Sequence, residues 1–499
     1  MKYVIGVDLG TSAVKLLLVN QQGTVVKNVS KNYPLLSEKA GYSEQNPKDW
    51  VDQTVAGLYE LMQQFEGKPD EIEGISFSGQ MHGLVLLDED QNVLRNAILW
   101  NDTRTTKECQ EIYEKVGKER LLHFTKNLAL EGFTLPKLLW VKNNEPELYS
   151  KVKNFLLPKD YVRLKLTNSL HTEYSDAAGT LLLNIAEKEW SQSICDLLDI
   201  NSDICPPLVE SSEEVGTLIP EIIEKTGLPK STHIFAGGAD NACGAIGSGV
   251  LTEDKTMVST GTSGVVLAHE ERGDRNFQGK VHYFNHGISN AYYTMGVTLA
   301  AGQSLTWFKD AFAKDKTFDQ LLNDVDKVSP GANGLLFTPY IDGERTPYFD
   351  STIRGSFIGI DSSHEMKHFV RSIMEGVTFS LNESVQLFRE QGKKINQIIS
   401  IGGGTKNDTW LQMQADIFNA KVVKLSNEQG PGIGAAMLAA YGCKWFKTLK
   451  DCAEIFLQKE KTYKPIEENA EVYQDLFKLY QQVYTSTHSV NKKLMRYRE

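Results

Sequence analysis

A short glycine-turned hairpin occurs twice in this sequence, and the repeat constrains the fold more than any other feature. Near the start, Lys2 to Asp8 alternates as a strand, turns at Gly10-Thr11-Ser12 and resumes as Val14 to Val19. In mid-chain, Thr256 to Ser259 leads into Thr260-Gly261-Thr262-Ser263-Gly264 and then the apolar strand Val265 to Ala268. Glycine in such a turn lets backbone N–H groups approach an anion, and the hydroxyls add further donors, so phosphate is held without many lysines. One D-x-G-T-S turn alone reads as an ordinary strand connection. Two, at corresponding places in two halves, read as a phosphate cradle. No G-x-x-x-x-G-K-[ST] occurs, which excludes the P-loop solution.

A chain of 499 residues exceeds what one hydrophobic core of usual size holds. Two units are therefore expected, 1–250 and 251–499, the second ending in a helical tail. Their boundary is placed at the small residues between Gly247 and Thr256. Between the hairpins, helical and strand patterns alternate, as in an α/β domain with a mixed sheet. Asn46 and Pro47 open a helix whose apolar face is Trp50, Val51, Val55, Leu58, Leu61, Met62 and Phe65. A strand is expected near Gly74 to Ser78. Later, His364 to Gln391 reads as a long helix and Ile395 to Ile401 as a strand ending in three glycines. Thr409 to Asn419 and Ile433 to Tyr441 read as helices, and the charged segment from about Glu467 reads as a surface helix.

Lys and Arg total 53 against 64 Asp and Glu, a formal charge of −11. That sign disfavours nucleic acid and anionic membrane surfaces as partners. The N-terminus lacks a signal-peptide pattern and no apolar run reaches bilayer length, so the expected location is cytoplasmic. Six cysteines without C-x-x-C spacing suggest neither a zinc site nor a disulfide framework.

The paired hairpins resemble the phosphate-binding elements of actin, the heat-shock chaperone ATPases and the sugar kinases. The FGGY carbohydrate kinase family is matched more specifically. Gly132-Phe133-Thr134-Leu135-Pro136-Lys137-Leu138-Leu139-Trp140-Val141-Lys142-Asn143-Asn144 resembles its first signature. Gly355-Ser356-Phe357-Ile358-Gly359-Ile360, followed by His368-Phe369 and Ser372-Ile373-Met374-Glu375, resembles its second. The resemblance implies an α/β fold of two ribonuclease H-like (actin/hexokinase-type) domains flanking an active-site cleft, with ATP as co-substrate and Mg²⁺ as cofactor. Within the family, Gly79-Gln80-Met81-His82-Gly83 and Trp100-Asn101-Asp102 resemble the branch acting on D-xylulose.

Residue roles follow from the same resemblance. Gly237-Gly238-Ala239-Asp240-Asn241-Ala242-Cys243-Gly244 looks like the catalytic-base motif, which makes Asp240 the general base; the plainer reading is an Asp that caps the following helix. Asp8 is assigned to Mg²⁺, and Thr11, Gly261 and Thr262 to the phosphates. Met81, His82 and Asn241, with Asp240, are assigned to the sugar. Ile401-Gly402-Gly403-Gly404-Thr405-Lys406-Asn407-Asp408 resembles the adenosine motif, with Gly403 and Asn407 as contacts, and Gly302 and Gln303 resemble a further nucleotide contact. Gly343-Glu344-Arg345-Thr346-Pro347 suggests no chemistry, and its Glu344 and Arg345 read as a buried structural salt bridge. Kinases for ribulose or gluconate, an ATP-driven chaperone or filament protein, and a sugar-binding regulator are the alternatives. A homodimer is the assembly left open.

Overall fold

Strand Tyr3–Leu9 buries Val4, Ile5, Val7 and Leu9 on both of its faces, and a strand covered on both sides belongs inside a sheet. The computed structural model, which describes residues 1–426 and 430–498, places it there. Antiparallel Ala13–Asn20 and then Val25–Asn32 lie on one side. Parallel Ile72–Gly79 and His233–Phe235, then antiparallel Glu214–Thr217, lie on the other. Gly238–Ala239 extends the pairing at the end of Ile72–Gly79.

The second sheet repeats this plan. Lys255–Thr260 is flanked on one side by antiparallel Gly264–Glu270 and Tyr292–Thr298. On its other side run parallel Gln397–Ile401 and Lys421–Leu425, then antiparallel Lys459–Tyr463. The extra strand His282–Asn285 widens this sheet beyond Tyr292–Thr298. The repeated hairpins thus head two sheets of matching strand order and direction, although the outer antiparallel strand precedes its neighbour in the first (Glu214–Thr217 before His233–Phe235) and follows it in the second (Lys459–Tyr463 after Lys421–Leu425).

Alternation sends the two faces of the first sheet to different partners. Ile5, Val7, Leu16 and Leu18 pack with Trp50, Leu58 and Leu61 of helix Pro47–Gln64. Val4, Leu17 and Val19 pack instead with Ile433 and Ala435 to Ala440 of Pro431–Gly442. A helix from the second half therefore covers a face of the first sheet. It also crosses helix Asp240–Gly247 so closely that a Cβ at Gly434 would lie 1.9 Å from the carbonyl oxygen of Cys243. Only glycine allows that approach.

The expected tail helix is present as Glu467–Leu494, but it is no free surface helix. Its charged composition conceals a stripe of Ala470, Tyr473, Phe477, Tyr480 and Val483, all buried. The Tyr473 hydroxyl accepts from Arg371 Nη2 at 2.7 Å and donates to Glu375 Oε1 at 2.7 Å on the long helix Met366–Glu390. Among the described residues no helix is long and apolar enough to cross a membrane.

Candidate active site

Met81, His82, Asp240 and Asn241 come together in a pocket of about 260 Å³, whose opposite wall is Ser263, Val265, His282, Met295, Val297 and Arg345. Thr260, Gly261, Thr262, Gly302, Gln303, Gly403 and Asn407 line a neighbouring cleft of about 820 Å³. The second hairpin borders both spaces, one through Ser263 and the other through Gly261 and Thr262. Thr11 lines neither. Its hydroxyl accepts from Trp100 Nε1 at 2.9 Å and its carbonyl from Gln45 Nε2 at 2.7 Å. Gln45 Oε1 in turn accepts from Trp50 Nε1 at 3.0 Å and Gln80 Nε2 at 3.2 Å, and the Tyr33 hydroxyl donates to the Gly10 carbonyl. The first hairpin is fixed by side chains far apart in sequence, which local pattern could not reveal.

His82 follows directly after strand Ile72–Gly79, Gln80 and Met81, with φ at 69°, an unfavourable backbone for a residue with a side chain. The strain is held from outside. Lys137 Nζ at 2.9 Å and Thr134 Oγ1 at 3.1 Å both donate to the His82 carbonyl, and Lys137 Nζ also donates to Gly132 O at 2.7 Å. The segment 132–144 therefore serves the site by clamping the histidine backbone. On the ring, Nδ1 lies 2.6 Å from the Gly179 carbonyl oxygen, which can only accept, so Nδ1 carries the proton. Burial pushes the imidazole pKa down to about 3, with the charges of Lys137, His282 and Arg345 acting in the same direction. The ring is neutral, and Nε2 is left as an acceptor for a ligand hydroxyl.

Asp240 is the first residue of helix Asp240–Gly247, which places Ala239 at the N-cap position. The capping reading is thereby corrected. Its Oδ1 accepts from Asn241 N at 2.7 Å and Asn241 Nδ2 at 3.0 Å. Oδ2 carries neither bond and is the oxygen available to a proton. Asn241 Nδ2 also donates to Met81 Sδ at 3.5 Å, tying the two assigned sugar contacts together. Burial, reinforced by the negative charge of Asp8, raises the Asp240 carboxyl to about 7. Burial likewise raises Asp8 to about 6, against the opposing charge of Lys15.

In the larger cleft, helix Gly302–Phe312 starts on the second hairpin. Gly302 N donates to Gly261 O at 2.8 Å and Ala301 N to Thr262 O at 2.9 Å. A Cβ at Gly302 would meet that Gly261 oxygen at 2.6 Å. Gln303 Nε2 donates to Asp342 Oδ2 at 2.8 Å, and Asn407 Oδ1 caps helix Asp408–Phe418 by accepting from Trp410 N at 2.9 Å. The amide nitrogen of Asn407 remains for a ligand.

Glu344 and Arg345 depart from the expected salt bridge. Glu344 is buried, but Oε1 accepts from the backbone N–H of Leu299 at 3.0 Å and of Arg345 at 2.8 Å, and Oε2 from the Ser380 hydroxyl at 3.1 Å. The guanidinium of Arg345 lines the smaller pocket instead. The Glu344 carboxylate is satisfied by backbone and hydroxyl donors, so the pairing that adjacency in sequence suggests does not form. Arg345, His282 and Ser263 are pocket residues that the sequence reading did not assign to the sugar.

Residues 3–247 match the N-terminal domain of the FGGY family of carbohydrate kinases, and residues 256–443 match its C-terminal domain. The chain is 61% identical over 499 residues to a xylulose kinase of Bacillus subtilis, covering 100% of both chains. A ligand-bound xylulose kinase from Lactobacillus acidophilus superposes with a TM-score of 0.94 at 29% identity, over 99% of this chain and 100% of that one. A gluconate kinase from the same organism reaches a TM-score of 0.94 at 29% identity over 99% of each chain.

Proposed function

This chain belongs to the FGGY family of carbohydrate kinases, and from that premise we propose that it transfers the γ-phosphoryl group of ATP to the C5 hydroxyl of D-xylulose. The observation that carries the reading is the pairing of Asp240, with Oδ2 free and its carboxyl near 7, with the neutral acceptor His82 Nε2 in one small pocket. The full-length similarity to a xylulose kinase supports the choice of sugar.

The residues divide the work. His82 Nε2 accepts a sugar hydroxyl and Asn241 orients its neighbour, which brings the C5 hydroxyl to Asp240. A carboxylate near 7 is a strong enough base to take the hydroxyl proton as the bond to phosphorus forms, and it is ionised near neutrality. Gly261 and Thr262 present donors to the phosphates, Thr11 is left with its backbone N–H for that role because its hydroxyl donates to Gln80 Oε1 at 3.3 Å, and Gly302, Gln303, Gly403 and Asn407 hold the nucleoside. We assign sugar binding to 1–250 and nucleotide binding to 251–499, with closure over the cleft excluding water as a competing acceptor.

The charge of Asp8 raises the cost of ionising Asp240, a charge distribution that fits a bound cation. Asp8 would hold Mg²⁺, through water since the ion dehydrates reluctantly, and the ion would neutralise phosphate charge. A cytoplasmic location belongs to the same proposal. The test is ADP release with D-xylulose, D-ribulose, gluconate and glycerol at fixed Mg-ATP. D-xylulose is expected to have the highest kcat/KM. D-ribulose, which differs at C3 alone, or gluconate ranking above it would overturn the choice of sugar.

A further inference from the structure

Arg345 is held by its backbone and left unpaired at its tip. The Glu344 carboxylate accepts its N–H at 2.8 Å. The next residue is stitched to strand Tyr292–Thr298: Thr346 N donates to Val297 O at 3.0 Å, and Thr346 Oγ1 accepts from Val297 N at 3.0 Å. The guanidinium, by contrast, has no hydrogen-bond or ion-pair partner among the described residues and faces the 260 Å³ pocket between Met295, Val297 and His282. Burial lowers its pKa while the charges of Glu131 and Glu344 oppose that effect, so it remains a cation. The side chain is half-buried, and its five donors, with no acceptor among the described residues, are available to a ligand in the pocket.

Its position along the pocket selects the ligand atoms. The Tyr293 hydroxyl donates to Met81 Sδ at 3.8 Å and Asn241 Nδ2 to the same sulfur at 3.5 Å, which marks the Asp240 end of the pocket, whereas Arg345 is stitched beside Val297, four residues further along strand Tyr292–Thr298, a rise of roughly 13 Å. Arg345 therefore stands at the end of the pocket away from the base. With the C5 hydroxyl at Asp240, the far end of a ketopentose is C1–C2, a hydroxyl and a carbonyl oxygen on adjacent carbons. A guanidinium fork suits two neighbouring acceptors, and a carbonyl can only accept.

We propose that Arg345 is a specificity-determining residue that donates to the C1 and C2 oxygens, gripping the α-hydroxyketone end of the substrate from the C-terminal half of the chain. This rests on D-xylulose being the sugar. The experiment compares D-xylulose with 1-deoxy-D-xylulose, which lacks one of the two oxygens, for the parent, Arg345→Met and Arg345→Lys at saturating Mg-ATP. The parent should prefer D-xylulose by about tenfold or more in kcat/KM. Arg345→Met should lose roughly 10²- to 10³-fold on D-xylulose and bring the ratio of the two sugars near one, with the KM for ATP unchanged, and Arg345→Lys should fall between. An unchanged ratio in Arg345→Met, with both sugars slowed alike, would overturn the proposal as a structural effect. A rise confined to the KM for ATP would overturn it in favour of a phosphate contact. A parent enzyme inert towards D-xylulose but active on another sugar would overturn the substrate reading first, and is seen without any variant.

Discussion

The Nδ1 atom of His82 lies 2.6 Å from the carbonyl oxygen of Gly179, nearly a hundred residues along the chain. That contact fixes which nitrogen carries the proton and leaves no room between the two residues. A Cβ on residue 179 would sit 2.9 Å from His82 Nδ1 and 3.0 Å from Met81 Cε. Gly179→Ala should therefore displace two assigned sugar contacts at once. The expected result is a rise of about tenfold or more in the KM for the sugar with the KM for ATP within twofold of the parent. Steady-state kinetics with each substrate varied in turn checks it.

Asp240→Asn should lose about 10²- to 10⁴-fold in kcat, the usual contribution of a positioned general base. It should also be the more stable protein in alkaline buffer. The folded carboxyl titrates near 7, well above its ordinary value. Its contribution to stability is full below the unfolded pKa and lost as pH rises through the folded one. Removing the carboxylate should raise stability by roughly 1–3 kcal/mol at pH 8 and by little at pH 4. Thermal melts at the two pH values decide it. A gain that does not grow with pH would contradict the raised carboxyl.

Asp240 must be ionised to act as a base, so the ligand-free enzyme should show a carboxyl titrating near 7 in ¹³C spectra, absent from Asp240→Asn. Because the charge of Asp8 helps to raise it, Asp8→Asn should lower that midpoint. Adding Mg-ATP to the parent should shift it in the same direction if Asp8 holds the cation. Activity should fall on the acid side of the midpoint. His82, at about 3, should add no break between pH 5 and 9.

Gly434→Ala tests the contact between helices Pro431–Gly442 and Asp240–Gly247. The added carbon would lie 1.9 Å from the Cys243 carbonyl, and backbone on both sides prevents an easy escape. Stability should fall by about 1–3 kcal/mol or more. Whatever folds should turn over more slowly, since Asp240 heads the helix that must move. Chemical denaturation with parallel measurement of kcat tests both parts.

How far the sequence could be read depended on whether a feature was local. The hairpins at Gly10 and Gly261, the strand-to-helix step at Asp240 and the glycine loop at Gly402 are local backbone patterns, and each was legible with its neighbours. The stripe Tyr473, Phe477 and Tyr480 was also visible at helical spacing, but surrounding charge suggested a solvent face. What could not be read were contacts set by tertiary placement. Lys137, inside a signature, gave no hint that it clamps His82 from 55 residues away. Glu344 and Arg345 looked like a pair because they are neighbours, whereas the chain sends one to the backbone of Leu299 and the other to the pocket.

The matching sheets have a consequence for the direction of the chemistry. Strand Tyr3–Leu9 reaches its hairpin through Asp8 opposite Lys15, and strand Lys255–Thr260 reaches its own through Ser259 opposite Val265. At equivalent places in an approximate duplicate, one copy carries a carboxylate and the other a hydroxyl. A faithful duplicate would set two anions against an already anionic phosphate chain, with nothing to distinguish the donor side from the acceptor side. At this place the first hairpin alone keeps a carboxylate, and Asp8 is the residue assigned above to Mg²⁺.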